Sequence, residues 1–361
     1  MKGIARKIIR PFLYYLYYLP FKNRINVSRA GKPLKKGITA VVAMKNEEYT
    51  LPFCLQSLVG FADQIVIIDN GSEDASLQKA RAFKKEFGNR AEVDILELPG
   101  ALLGDCREAG LKATRYQWHL RWDADMVAHT DGKNNMRQLR EKVLNNSTPR
   151  AIQLPRFNIN GDLKHCDPNK IVDAGEPILV WFNKQVFYKE YGKFDAIKLP
   201  VYFKQLKEKK YYYFHCQGLK SDENLMHRFH YFRWREILNT YSKDKLPSYV
   251  FDLDTFKQRR NEYLFETTNP QSLKFRYQRQ LVPRFRKFNP ENYKLYYPEV
   301  LREEMDSGKA RFEIIYKDGD PYIRKDYEDT EMLDFIPSKE DLNWSVDQFF
   351  KRLENDLPHK Q

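Results

Sequence analysis

The chain has 361 residues, 42% of them hydrophobic and 31% charged. That is enough apolar material for one large α/β domain with appendages or for two small domains, and it excludes global disorder. The net charge is +13, yet residues 1–36 hold ten Lys and Arg side chains and no acid, which leaves 52 basic against 49 acidic residues in the rest; a nearly neutral body with one basic end excludes the basic face of a nucleic-acid-binding protein.

The basic end contains an uncharged run from Pro11 to Phe21 with four tyrosines. It is too short for a membrane-spanning helix, which needs about 20 residues. It also lacks the small-residue cleavage site of a secretory signal. Tyr-rich apolar side chains flanked by Lys and Arg suit the headgroup boundary of an anionic leaflet. Residues 1–36 are therefore expected to be a membrane-facing arm; the plainer alternative is an arm that packs on the domain or stays loose. Cys54, Cys106, Cys166 and Cys216 form no C-x-x-C pair and no zinc spacing. They read as reduced thiols. The expected location is cytoplasmic, peripheral at the inner face of a membrane.

Residues 38–44 read as a buried strand. Leu51, Leu55, Leu58 and Val59 recur at helical spacing over 49–60. A second strand over 64–68 ends in the turn Asp69-Asn70-Gly71-Ser72, and a helix over 73–87 stops at Gly88-Asn89. A strand over 92–98, a helix over 104–114 and a strand over 116–122 follow. This alternation predicts an α/β fold with a largely parallel sheet flanked by helices. Further strands are expected at 150–157, 177–183 and 210–216, and a helix at 222–240. The stretch 245–300 has no clear period. Residues 310–324 read as a hairpin about Lys317-Asp318-Gly319-Asp320. The expected organisation is an arm over 1–36, an α/β domain over 37–240 and an α+β extension over 241–361.

The polar clusters fall at strand ends, where open α/β sheets bind ligands. They are Lys45-Asn46-Glu47, Asp69-Asn70-Gly71-Ser72 and Asp123-Ala124-Asp125. Asp123 and Asp125, two residues apart beyond an apolar strand, suit Mg²⁺ or Mn²⁺, which favour oxygen ligands and keep substrate phosphates in their shell. A cation there would neutralise a departing diphosphate. The plainer reading is a solvated acidic turn. Asp69 suits a base or ribose, or an Asx turn. Trp181, Tyr231 and Trp234 suit sugar stacking, although packing is their commoner use.

Val41-Val42-Ala43-Met44-Lys45-Asn46-Glu47-Glu48, followed by Leu51 and Leu55-Gln56-Ser57-Leu58, resembles the opening of family 2 glycosyltransferases of the GT-A fold. Ile65 to Asp74 resembles their second-strand motif. Arg107-Glu108-Ala109-Gly110 resembles their Arg-Asn-x-Gly segment, with Glu108 in place of Asn, and Asp123-Ala124-Asp125 resembles their D-x-D. The resemblance implies a GT-A-type, Rossmann-like sheet and inverting transfer of a sugar from a nucleoside-diphosphate sugar with Mn²⁺ or Mg²⁺. It places Asn46, Glu47 and Asp69 at the nucleoside, Asp123 and Asp125 at the metal and phosphates, and Arg107 near the donor. In some members a histidine late in the core is a further ligand, a role open to His215. The catalytic base is open among Asp222 and Glu223, Asp195, and Glu176. If His215 is a ligand, Asp222 and Glu223 are reduced to capping the next helix. The acceptor expected of such an enzyme is a lipid-linked or lipopolysaccharide-type glycan.

No G-x-G-x-x-G or G-x-x-x-x-G-K-[ST] occurs, which removes the dinucleotide and P-loop readings. A metal-dependent nucleotidyltransferase needs similar acids, but usually a Gly-rich loop where Met44-Lys45-Asn46-Glu47 stands. A non-catalytic membrane-associated binding protein would not require Asp69, Asp123 and Asp125 together.

Overall fold

The computed structural model describes residues 9–133, 135–173, 177–191, 194–210, 212–242, 244 and 246–356. The chain divides into two compact units. The first comprises residues 1–158, 171–216 and 290–306, and the second residues 159–170, 217–289 and 307–361.

The first unit is built on β1 (Lys35–Met44), α1 (Leu51–Leu58), β2 (Gln64–Asp69), α2 (Ser76–Phe87), β3 (Glu92–Glu97), α3 (Leu103–Ala113) and β4 (Tyr116–Asp123). These elements lie where the periodicity predicts them, within a few residues at each end. Ile38, Val41, Val42 and Ile65 to Ile68 have no exposed surface. Their unbroken apolar runs follow from a sheet covered on both faces. The order across the sheet is β3-β2-β1-β4, all parallel. The chain thus winds outward from β1 in both directions, and a crevice opens beyond the carboxyl ends of β1 and β4. In register, Met44 lies beside Asp69 and Ala43 beside Asp123, so three polar turns emerge at one edge.

After β5 (Met126–Ala128) and α4 (Met136–Leu144), the chain adds β6 (Arg150–Gln153), β7 (Arg156–Asn160), β8 (Pro177–Trp181), the hairpin of β9 (Phe187–Tyr191) with β10 (Phe194–Lys198), β11 (Lys204–Lys207) and β12 (Tyr213–Gln217). β8 joins β4 and β6 antiparallel, and β11 completes the seven-stranded sheet. β5, β12 and β7 form a second sheet with residues 172–173. Trp181 is interior, edge-on to Trp118, and so serves as core.

In the second unit, α5 spans Asp222–Thr240, as the periodicity predicts. The unassigned stretch holds α6 (Leu253–Phe265) and α7 (Pro270–Leu281), capped by the side chains of Asp252 and Asn269. Their apolar rhythm is diluted because α7 buries polar groups: Arg276 donates to Asp341 at 2.8 Å and to the Phe265 carbonyl at 2.7 Å. The expected hairpin is β13 (Phe312–Lys317) with β14 (Asp320–Asp326). Leu264, Phe265, Tyr277, Trp344 and Phe349 form the core, closed by α8 (Val346–Glu354). Trp234 donates its indole N–H to the Val250 carbonyl at 2.7 Å and Tyr231 stacks on His227; both pack within this unit. No helix among the described residues is long and apolar enough to cross a membrane.

Gly110 shows why α3 ends in a glycine-containing motif. A Cβ there would stand 2.3 Å from Val41 Cγ1, deep in the sheet. Gly110→Ala should therefore cost about 1–3 kcal/mol through overpacking. Urea denaturation of the variant against wild type measures this.

Candidate functional site

The loops after β1 and β2 are laced together. Asn46 adopts a left-handed backbone (φ +53°), and its amide N–H donates to Ser72 Oγ at 3.0 Å while its side-chain oxygen accepts from the Glu73 N–H at 2.8 Å. The Glu47 N–H donates to Ser76 Oγ at 2.7 Å, and the Glu48 N–H to Asp74 at 3.1 Å. Asp69, almost fully buried, accepts from both the N–H and the hydroxyl of Ser72. The turn expected of Asp69 is therefore present, and it fixes the carboxylate at the crevice edge. Glu47 is also buried, accepting from the Thr50 hydroxyl at 3.1 Å.

Arg107 is 1% exposed. It donates one N–H to the Trp122 carbonyl at 2.9 Å and a second to Asp123 Oδ1. α3 thereby clamps the first aspartate of the acidic turn from below. Burial raises the Asp123 carboxyl, but the Arg107 and Arg121 guanidiniums outweigh it and hold the group below its usual range. The departure at Glu108 has a structural cause. Its carboxylate pairs with Arg29 at 3.0 Å and accepts from the Tyr188 N–H at 3.2 Å, tying the N-terminal arm and β9 to α3.

Asp125 is brought to His215 by the pairing of β5 with β12. His215 lies opposite Met126, and the Cys216 N–H donates to the Asp125 carbonyl at 2.7 Å. His215 Nε2 stands 3.2 Å from Asp125 Oδ2, and Nδ1 stands 2.9 Å from the side-chain oxygen of Asn158 on β7. An amide oxygen only accepts, so Nδ1 carries the proton. Nε2 is thereby turned toward the Asp125 carboxylate. Asn158 is a residue the motif search misses; its signal is a polar side chain inside the otherwise apolar strand Phe157-Asn158-Ile159.

Among the described residues, no three His, Cys, Asp or Glu side chains form a ready-made metal cage. The donor set suits an open site, in which one carboxylate and one imidazole share a divalent ion with substrate phosphates. Cys54 and Cys216 flank the turn. Burial first, and then the nearby Asp125, push both thiols well above their usual range, which leaves them as protonated packing groups.

The expected bases separate. Asp222 is buried in the second unit, where Arg324 Nη2 at 2.6 Å and Gln278 take its two oxygens. Glu223, next to it in the first turn of α5, is exposed. Asp195 lies on β10 in the first unit, with its side chain outside the described residues, as is all of Glu176.

Residues 39–143 match the sequence model described as Glycosyl transferase family 2. Among solved structures, the chain is similar to S. aureus TarS 1-349 in complex with UDP. The identity is 16%, covering 79% of this chain and 98% of that one, at a TM-score of 0.36. It is also similar to the mannosyltransferase PcManGT from Pyrobaculum calidifontis in complex with GDP-Man and Mn²⁺, at 10% identity, 71% and 80% coverage and a TM-score of 0.39. A third is the glucosyl-3-phosphoglycerate synthase from Mycobacterium tuberculosis, at 19% identity, 34% and 43% coverage and a TM-score of 0.24. The resemblance to family 2 glycosyltransferases thus holds over the segment that carries Asn46, Glu47, Asp69, Arg107, Asp123 and Asp125. The mostly parallel, helix-flanked sheet is the GT-A-type arrangement that the resemblance implies, and the family match lies on residues 39–143 of it.

Because buried Arg107 meets both the Trp122 carbonyl and the partly exposed Asp123, Arg107→Leu should lose about 1–3 kcal/mol of stability. The readout is the urea midpoint. Arg107→Lys should recover part of the loss, since it keeps the charge but loses the fork.

Proposed function

We propose that this chain is a glycosyltransferase that moves a sugar from a nucleoside-diphosphate donor to an acceptor hydroxyl, with inversion and with Mn²⁺ or Mg²⁺. The observation that carries the reading is the convergence, at one edge of the sheet, of Asp69, the Arg107-clamped Asp123 and the Asp125–His215 pair. Asn46, Glu47 and Asp69 are assigned to the nucleoside. Asp125 and His215 would hold the metal, with Asp123 serving the metal and phosphates. Bound there, the cation would supply charge neutralisation to the diphosphate leaving group.

This chain's own residues do the rest. Arg107 keeps Asp123 ionised and oriented. Asn158 fixes the His215 ring so that Nε2 faces the site. The interlaced loops after β1 and β2 set the nucleoside pocket before the donor arrives, which lowers the ordering cost of binding. The acceptor is assigned to a lipid-linked or lipopolysaccharide-type glycan, in keeping with the basic aromatic arm, and the enzyme to the cytoplasmic face of a membrane.

Nucleoside diphosphate release from a panel of UDP-, GDP- and dTDP-sugars with Mn²⁺ tests the reading. One donor should turn over, and Asp125→Asn should lower kcat by about 10²-fold or more with an unchanged melting temperature. Release by no donor, or full activity in Asp125→Asn, would reject it.

With His215 assigned to the metal, the acceptor-side base is assigned to Asp195 or Glu176, and Asp222 and Glu223 are the candidates if His215 is not a ligand. Amide substitution of each sorts them. The base variant should lose kcat by about 10²–10⁴-fold at unchanged donor affinity. If Asp222 serves only its ion pair with Arg324, Asp222→Asn should instead lower the melting temperature.

A further inference from the structure

From residue 9 onward the arm is seated rather than loose. Tyr18 turns inward against Tyr202, with ring centroids 5.3 Å apart, and accepts from the Asn26 amide at 2.7 Å. Arg29 donates to the carbonyls of Lys184 and Val186 at 3.0 and 2.6 Å. Leu13 and Tyr14 pack on the main core and Ile25 is buried. The opposite face of the arm is left outward and apolar, with Phe12 and Tyr15 62% and 65% exposed.

That face continues onto a second stretch of chain. An open cleft of about 610 Å³ is lined by Tyr17, Phe21 and Ile25 of the arm and by Phe187, Leu199 and Val201 beside the β9–β10 hairpin. Phe187 is 45% exposed and Val201 70%. The cleft walls are almost wholly apolar, with Arg24 and Lys184 on the rim. Residues 177–207 contain six lysines against two acids, Glu190 and Asp195, and residues 1–36 contain ten basic groups and no acid. A net basic border around apolar side chains disfavours a second copy of the same face. Together they complement a surface that is negative outside and greasy within.

We propose that the arm and the segments around Phe187 and Val201 form one docking face for an anionic lipid bilayer, with Phe187 and Val201 inserting beside the arm's aromatics. This rests on the membrane-facing reading of the arm and extends it to residues far away in sequence. Arg24, Lys184 and their basic neighbours meet the phosphates, and the cleft takes acyl or glycerol carbons between the arm and the hairpin. Seating the arm through Tyr18 and Arg29 holds the two halves together, which lowers the ordering cost of insertion.

Co-sedimentation of the full chain with vesicles of phosphatidylcholine alone, or mixed with phosphatidylglycerol, tests the face. Wild type should bind the mixed vesicles, lose binding at high salt and leave pure phosphatidylcholine in solution. Phe187→Glu/Val201→Glu should lower the partition coefficient by about tenfold or more, with melting temperature and nucleoside diphosphate release unchanged. If that variant is poorly folded, Lys184→Glu carries the same expectation. Full binding by a folded variant would overturn the two-segment face and leave the arm alone as the contact. Absence of binding by wild type would overturn both.

Discussion

A buried guanidinium fixes the acidic turn. Arg107 sits under the sheet with almost no water contact, and its charge is met by Asp123 and by the Trp122 carbonyl. Neither partner can be given up cheaply, because each would strand a charge or a dipole in a dry interior. Gly110, one turn further along α3, lets the helix lie close enough on Val41 for the reach to be made. Glu108, on the same turn, couples this arrangement outward to Arg29 and to β9. The segment Arg107-Glu108-Ala109-Gly110 therefore works as a mechanical unit: one residue clamps the turn, one ties in the arm and one sets the packing distance.

The second half of the site comes from topology. β4 ends at Asp123, but Asp125 acquires its imidazole only because β12 returns antiparallel to β5 some ninety residues later. His215 is oriented in turn by Asn158 from β7. The parallel core supplies carboxylates at the switch point, and the second sheet supplies the imidazole of His215 and its orientation. The second unit uses its own polar residues for cohesion. Asp222 answers Arg324 and Asp341 answers Arg276, so acids that look available in the sequence are held in buried pairs.

The core was legible because parallel strands buried on both faces are written as unbroken apolar runs, and the turns after them as clusters of Asp, Asn, Gly and Ser. α5 and the β13–β14 hairpin were legible for equally local reasons: a Ser221 cap in front of two acids, and an Asp-Gly turn. α4 carried a readable signal in Met136, Leu139 and Val143, one short amphipathic stripe among charged residues. α6 and α7 were not legible, since their buried faces include Arg260, Arg276 and Gln278, whose partners lie far along the chain. The same holds at the site. Asp69, Asp123 and Asp125 announce themselves at strand ends, whereas the service of Asn158 to His215 depends on a strand pairing that no local pattern records. The uncharged run of the arm is plain in the sequence; that its face continues through Phe187 and Val201 is a fact of folding.

The central claim is that Asp125 and His215 share a divalent cation at the switch point, beside an Asp123 held by Arg107. Anomalous diffraction from crystals grown with Mn²⁺ and a nucleoside diphosphate tests it most directly. A manganese peak is expected within bonding reach of Asp125 Oδ2 and His215 Nε2, with diphosphate oxygens completing its shell. A peak bound elsewhere, or a diphosphate seated at this edge with no metal beside Asp125, would contradict it.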